Sequence, residues 1–148
     1  MNTVDIKVLR LHDGAHLPTY ATPGSMCFDL YLFAPAVGAV HVPPGKCKML
    51  HTGPAFGLPV GWGLNAYSRS GHGRVGVNLA NGVGKIDQDY TGELLVCLAN
   101  HGDEVVAFAH GDRIAQAEPV PIWRANFVEV GNLAATTRGT GGFGSTGR

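Results

Sequence analysis

Asn81-Gly82-Val83-Gly84-Lys85-Ile86-Asp87-Gln88-Asp89-Tyr90-Thr91-Gly92-Glu93 runs straight into the apolar segment Leu94-Leu95-Val96-Cys97-Leu98. A polar stretch bounded by glycines and followed by a short apolar run reads as a β-hairpin that turns at its glycines. Asp87, Asp89 and Tyr90 then stand exposed beside the tip. A turn alone needs a Gly or Asn and an Asp. Two carboxylates and a phenol exceed that need, so this hairpin is the first place to look for chemistry.

The same grammar repeats along the chain. Its 148 residues include 22 glycines and 9 prolines, spread as punctuation between short apolar runs, which favours many short strands over long helices. The alternation of Val4, Ile6 and Val8 predicts a half-buried strand over 3–11. Met26–Phe33 is an apolar run broken by Asp29. Val40–Pro44 and Cys47–Thr52 flank a Pro-Gly turn, and Leu58–Leu64 is a further punctuated segment. Strands are predicted over 75–80, 93–100, 104–109, 112–118 and 122–130. No window keeps a helical apolar period, so helix is expected for a turn or two at most. The fold class expected is all-β, a jelly-roll sandwich or barrel.

Length suits one domain with one core. Hydrophobic residues at 45% and charged residues at 15% indicate a folded globule. With a formal net charge of +0 there is no broad basic face for nucleic acid, and an anionic ligand must be met by a local cluster or bring its own cation. Cys27, Cys47 and Cys97 lack CxxC spacing and read as small buried residues in a reducing setting. With no signal-peptide core and no apolar run near the ~20 residues that span a bilayer, a cytoplasmic protein is expected, viral or phage origin included. Large apolar residues nearly vanish after Leu133, so residues 1–133 are read as the catalytic domain and 134–148 as a flexible, glycine-rich arm.

Four further segments carry polar chemistry. Arg69-Ser70-Gly71 combines a guanidinium, a hydroxyl and a glycine that frees backbone amides, a compact cradle for an oxyanion or, more simply, an exposed turn. In Gly111-Asp112-Arg113-Ile114-Ala115-Gln116 an Asp–Arg pair explains the turn, while the Gln116 amide is free to bridge a ligand and a loop. Asp29 is a carboxylate in an apolar run and needs either a salt bridge or a metal-linked role. The tail from Arg138 to Arg148 offers cations, hydroxyls, glycine amides and one aromatic, Phe143, to a phosphate and a flat ring. It is not a Walker-type loop, since no Lys-Ser/Thr follows its glycines. The seven histidines form no convincing metal set; Gly14 and Pro18 argue against a helix that would align His12 with His16.

Taken in order, these segments resemble the five motifs of the trimeric deoxyuridine triphosphate nucleotidohydrolases (dUTPases). Ala21–Leu30 is similar to the first, Arg69-Ser70-Gly71 to the second and Asn81–Glu93 to the third. Gly111–Gln116 is similar to the fourth and Arg138–Gly147 to the fifth. Five modest motifs in the right order are highly specific.

The resemblance implies a jelly-roll homotrimer with three active sites at subunit junctions. It implies hydrolysis of dUTP to dUMP and diphosphate with Mg²⁺ on the triphosphate, which supplies dUMP for dTMP synthesis and limits uracil in DNA. Asp87 would be the general base that activates the attacking water, and Tyr90 the aromatic that leaves no room for a 2′-hydroxyl. Asn81 and the backbone through Gly84 to Ile86 would read uracil. Arg69, Ser70 and Gly71 would hold phosphates from a neighbouring subunit, with Gln116 bridging phosphate and hairpin. Arg138 and the Gly144-Ser145-Thr146 amides and hydroxyls would close over the outer phosphates while Phe143 stacks on the base. Asp29 would meet Mg²⁺ through water. Neither nucleic acid nor membrane is implied as a partner.

Three positions depart from the pattern. Met26-Cys27 stands where Ala-Gly is usual, Ser68 where Pro is usual, and Lys85 where an apolar residue or Thr is common. A dCTP deaminase shares the fold, but its active site is built around a different Arg-Ser-Ser type motif. A non-catalytic jelly-roll binding protein would have no use for Asp87, Tyr90 and Phe143 together.

Overall fold

The structure, a computed structural model, describes residues 3–145 and Gly147. Among these residues the strands are β1 (Lys7–Arg10), β2 (Phe28–Tyr31), β3 (Val40–Val42), β4 (Cys47–Gly57), β5 (Trp62–Tyr67), β6 (Val77–Leu79), β7 (Gly84–Ile86), β8 (Glu93–Asn100), β9 (Val106–Phe108) and β10 (Arg113–Pro121). One short helix, α1, covers Ser70–Gly73. The strands form a sheet in the order β1-β4-β8-β6, a second in the order β2-β10-β5-β7, and a two-stranded ribbon, β3-β9. This is the expected jelly-roll sandwich.

Alternation builds the core. Leu94, Val96 and Leu98 point inward from β8 while Leu95 faces out. From the opposite sheet Leu64 and Ala66 of β5, and Ile114, Ala115 and Ala117 of β10, meet them in one cluster. Phe28 of β2 stacks on Phe56 of β4 with ring centroids 6.2 Å apart, so the layers touch through aromatic faces. Truncating Leu98, 1% exposed, to Ala would cost about 2–5 kcal/mol.

A bulge in β4 shapes the functional end. Register with β8 shifts between His51 and Ala55, and Gly53 takes φ +93 there. A Cβ on Gly53 would collide with that of Ala15. The Gly53 N–H donates to Glu93 Oε1 at 2.8 Å, so the bulge clamps the first residue of β8.

Four expectations need correction. The stretch 81–93 is not a two-stranded hairpin: β6 lies in one sheet, β7 in the other, and β8 returns to the first. Turn residues and apolar runs announce strands without saying which sheet each joins. No strand forms over 122–130, because its large side chains, Trp123, Phe127 and Val128, find no core to cover and stay exposed. The N-terminal strand is exposed along β1, with burial limited to partial cover of Val4 and Ile6. Cys47 is exposed, and Cys27 and Cys97 are half-buried.

Candidate active site

β7 is an edge strand, pairing with β5 through Leu64–Ile86, Asn65–Lys85 and Ala66–Gly84. Its other edge is free to meet something besides a strand. Gly84 permits the close approach: a Cβ there would sit 3.2 Å from the Ala66 Cβ. After Ile86 the chain turns, with the Tyr90 N–H donating to the Asp87 carbonyl at 3.1 Å. Gln88 anchors this turn to the other end of β5, its Oε1 accepting the Gly61 N–H at 2.9 Å.

The Tyr90 hydroxyl donates to the Glu93 carbonyl at 2.7 Å, which ties the ring to the start of β8. Gly92 makes room for it, since a Cβ there would lie 2.7 Å from the phenol oxygen. Asn81, Gly84, Asp87 and Tyr90 thereby line one cavity of about 280 Å³, floored by Leu95 and Cys97. Ile86 and Lys85 line it too.

The second cluster lies at the ends of β2, β10 and β5. Gln116 stands between Asp29 and Tyr67 in the ladder. Its Nε2 donates to the Ser68 carbonyl at 3.0 Å. Asp29 is 6% exposed and accepts from Arg69 Nε at 3.0 Å and from Arg113 Nη1 at 3.2 Å. A buried carboxylate is costly without such partners. Arg113 therefore serves Asp29, not the neighbouring Asp112, whose Oδ2 accepts the Ala109 N–H at 2.7 Å. Arg69 is in extended conformation just before α1, so Ser70 and Gly71 begin the helical turn with N–H groups that lack intrahelical acceptors. His72 packs edge-on against Phe108 at 5.1 Å, and burial followed by the Arg69 charge holds its pKa below the usual value.

Arg69, Ser70, Gly71, Gln116 and Asp29 do not line the Asp87 cavity. Nor does the tail: Arg138 Nε donates to the Gly141 carbonyl at 2.9 Å, and Phe143, at φ 48, points wholly into solvent. Gly144 and Ser145 make a local turn, and Thr146 lies outside the described residues. Upstream, Trp123, Phe127, Val128 and Leu133 are strongly exposed, and among the described residues 123–135 make no backbone–backbone hydrogen bond. Among the described residues one chain thus holds two separate polar clusters, with the largely exposed residues 134–145 lining neither.

Sequence reasoning paired Arg113 with Asp112, where the structure pairs it with Asp29, and assigned no role to Gln88 or Glu93. No local pattern marks them, because their partners lie far along the chain or across a sheet; Arg113 and Asp29 are 84 residues apart.

The profile of the dUTPase family matches residues 13–147. The deoxyuridine 5′-triphosphate nucleotidohydrolase of Anaplasma marginale is 44% identical over 145 residues, covering 96% of this chain and 97% of that one. Among solved structures, the dUTPase of Staphylococcus bacteriophage 80alpha with dUpNHpp superposes with a TM-score of 0.86 at 23% identity, covering 99% of this chain and 100% of that one. The dUTPase of phage phi11 of S. aureus, which coordinates a structural Mg(II) ion, superposes with a TM-score of 0.76 at 20% identity over 87% of this chain and 98% of that one. Likeness at such identities speaks for the fold. The nearly full-length match in sequence speaks for the reaction, and on both grounds the chain belongs to the dUTPase family and is a dUTP-hydrolysing enzyme.

Proposed function

We propose that the chain cleaves dUTP to dUMP and diphosphate by attack of water on the α-phosphorus, with Asp87 as the general base. The observation that carries this reading is the single cavity shared by Asp87, Tyr90, Asn81 and the free edge of β7. At about 280 Å³ it falls just below the usual range of ligand pockets, roughly 300–1,000 Å³, which suits a base and sugar with phosphates outside.

Uracil meets the outer edge of β7 much as another strand would. A backbone carbonyl accepts from N3–H and an N–H donates to O4, while cytosine reverses both groups and leaves them mispaired. Thymine is refused by packing around its methyl. With its hydroxyl committed to the Glu93 carbonyl, Tyr90 offers the sugar a ring and not a donor, so a 2′-hydroxyl meets a wall with nothing to bond. Asp87 takes the proton of the attacking water, a role that contributes about 10²–10⁴-fold.

Arg69, Ser70 and Gly71 of a neighbouring subunit hold the phosphates and Gln116 bridges them to the base-reading edge. The separation of the two walls within one chain supports a homotrimer with shared sites. So do the exposed Trp123, Phe127, Val128 and Leu133, which another copy would cover. The arm, 134–148, then closes over the phosphates through Arg138, Gly144, Ser145 and Thr146, with Phe143 on the uracil.

The residues fit a cation that arrives with the triphosphate. Among those described, no three His, Cys, Asp or Glu side chains converge as a cage, and Mg²⁺ beside phosphates keeps most of its waters. Asp29 is the residue to hold it through water. Each of its oxygens receives one arginine and keeps a lone pair for a water proton. When bound, Mg²⁺ neutralises phosphate charge and fixes the triphosphate for in-line attack. We place the enzyme in the cytoplasm, supplying dUMP for dTMP synthesis and limiting uracil in DNA.

The test is diphosphate release from dUTP, UTP, dCTP and dTTP with and without Mg²⁺. Release from dUTP alone, dependent on Mg²⁺, is expected. Ammonia release from dCTP would instead indicate a deaminase.

A further inference from the structure

Ser68 touches each wall that one chain supplies. Its Oγ accepts the Leu79 N–H at 2.8 Å, at the end of β6 and just before Asn81. Its carbonyl accepts Gln116 Nε2 at 3.0 Å. The next residue is Arg69, bound to Asp29. β6 is the edge strand of its sheet, paired with β8 on one side only. The Leu79 N–H therefore points away from the ladder, and Leu79 is 5% exposed, out of easy reach of water. The hydroxyl at the end of β5 satisfies that amide and ties the two sheets together where the chain enters the base-reading edge.

We propose that Ser68 is a positioning residue that sets the spacing between the phosphate loop, Arg69-Ser70-Gly71, and the base-reading segment, Asn81–Ile86. The inference rests on the site reading above, in which these segments of one chain serve adjacent active sites of the trimer. Each site then takes one wall from each of two chains, and a loosened joint weakens base binding and phosphate binding at every site. Asp87 is not touched, so the chemical step is spared.

Inhibition constants for deoxyuridine, which carries no phosphate, and for diphosphate read the two walls separately. In Ser68→Ala both are expected to rise about fivefold, the size of one lost hydrogen bond, with kcat held within about twofold. The preference for dUTP over dCTP should narrow by a similar factor. Ser68→Thr, which keeps the acceptor, should restore all three. A residue that matters only for folding would lower Tm and leave these constants alone. Unchanged constants, a shift in one wall alone, or no rescue by Thr would each overturn the proposal. Should Ser68→Ala fail to fold, Ser68→Cys, similar in size and a weak acceptor, carries the same comparison. Asp87→Asn run beside them separates the two levels. If it loses turnover while Ser68→Ala behaves as wild type, the joint is wrong and the site stands; if it retains turnover, the site reading itself is wrong.

Discussion

Residues 80–93 and 136–147 are both glycine-rich, polar and marked by a single aromatic ring, yet they meet different fates. The first is pinned at three places: β6 and β8 in one sheet, β7 in the other. Its tyrosine is hydrogen-bonded and its cavity is formed. The second leaves β10 through an extended segment without backbone pairing, and its phenylalanine stands in solvent. Glycine content decides neither outcome. Strands on both sides hold 80–93 in place, whereas the described residues of the second segment make only local turns.

The most severe way to break this contrast is to remove chemistry from the rigid wall without moving it. Asp87→Asn should bind dUpNHpp about as well as wild type and lose about 10²–10⁴-fold in turnover. Turnover within about fivefold of wild type in single-turnover assays would refute the base assignment. Next comes the arm. Deleting 138–148 should leave Tm and the oligomeric state unchanged while turnover falls by about a hundredfold, the scale of lost substrate positioning. Full activity would show that the arm is no lid. Third, Tyr90→Ala should narrow the preference for dUTP over UTP by about tenfold, because a hydroxyl is then no longer excluded by bulk. UTP refused as well as before would move sugar reading elsewhere.

The turns within 80–93 were readable from sequence because they are local, although the sheet that each flanking strand joins was not. Turn glycines, Gly92 beneath a ring, and a carboxylate beside a β7 residue all fall within a few positions of one another. The strands of the core were readable for the same reason, as β8 shows in the alternation of Leu94, Val96 and Leu98. Pairings across the chain were not. Nothing near Arg113 announces Asp29, and nothing near Gly53 announces Glu93. The apolar run Ile122, Phe127, Val128 and Val130 misleads for a related reason. It has the composition of a strand, but its side chains meet no core within this chain, and Phe127, Val128 and Val130 stay exposed. Cys47 misleads through composition as well: β4 turns Leu50 and Thr52 inward and leaves Met49 and Cys47 outside.

The smallest effect expected sharpens what anchorage means for the rigid wall. Glu93 opens β8, accepts Tyr90 through its carbonyl, and spends its carboxylate on the Gly53 N–H and on His51 Nδ1, each at 2.8 Å. Burial pushes this carboxyl up. The hydrogen bonds from His51 and Gly53, with the charges of His51 and His12, outweigh burial and hold its pKa below the ordinary glutamate value of about 4.5. A depressed folded value means that the unfolded chain binds the proton first as pH falls. The contribution is therefore complete above about 4.5 and is lost as pH drops through the folded value. Glu93→Gln keeps an acceptor for Gly53 and surrenders the charge, so at pH 7 it should cost about 1 kcal/mol, a few degrees in Tm. That gap should hold from neutrality to about pH 5 and close below it. A gap that persists undiminished at about pH 3 would mean that the carboxylate charge is not what clamps the bulge. Because the Tyr90 partner is a backbone carbonyl that the substitution leaves in place, selectivity between dUTP and UTP should not change. Acid stability and sugar selectivity would then separate cleanly, the first belonging to the anchor of the wall and the second to its face.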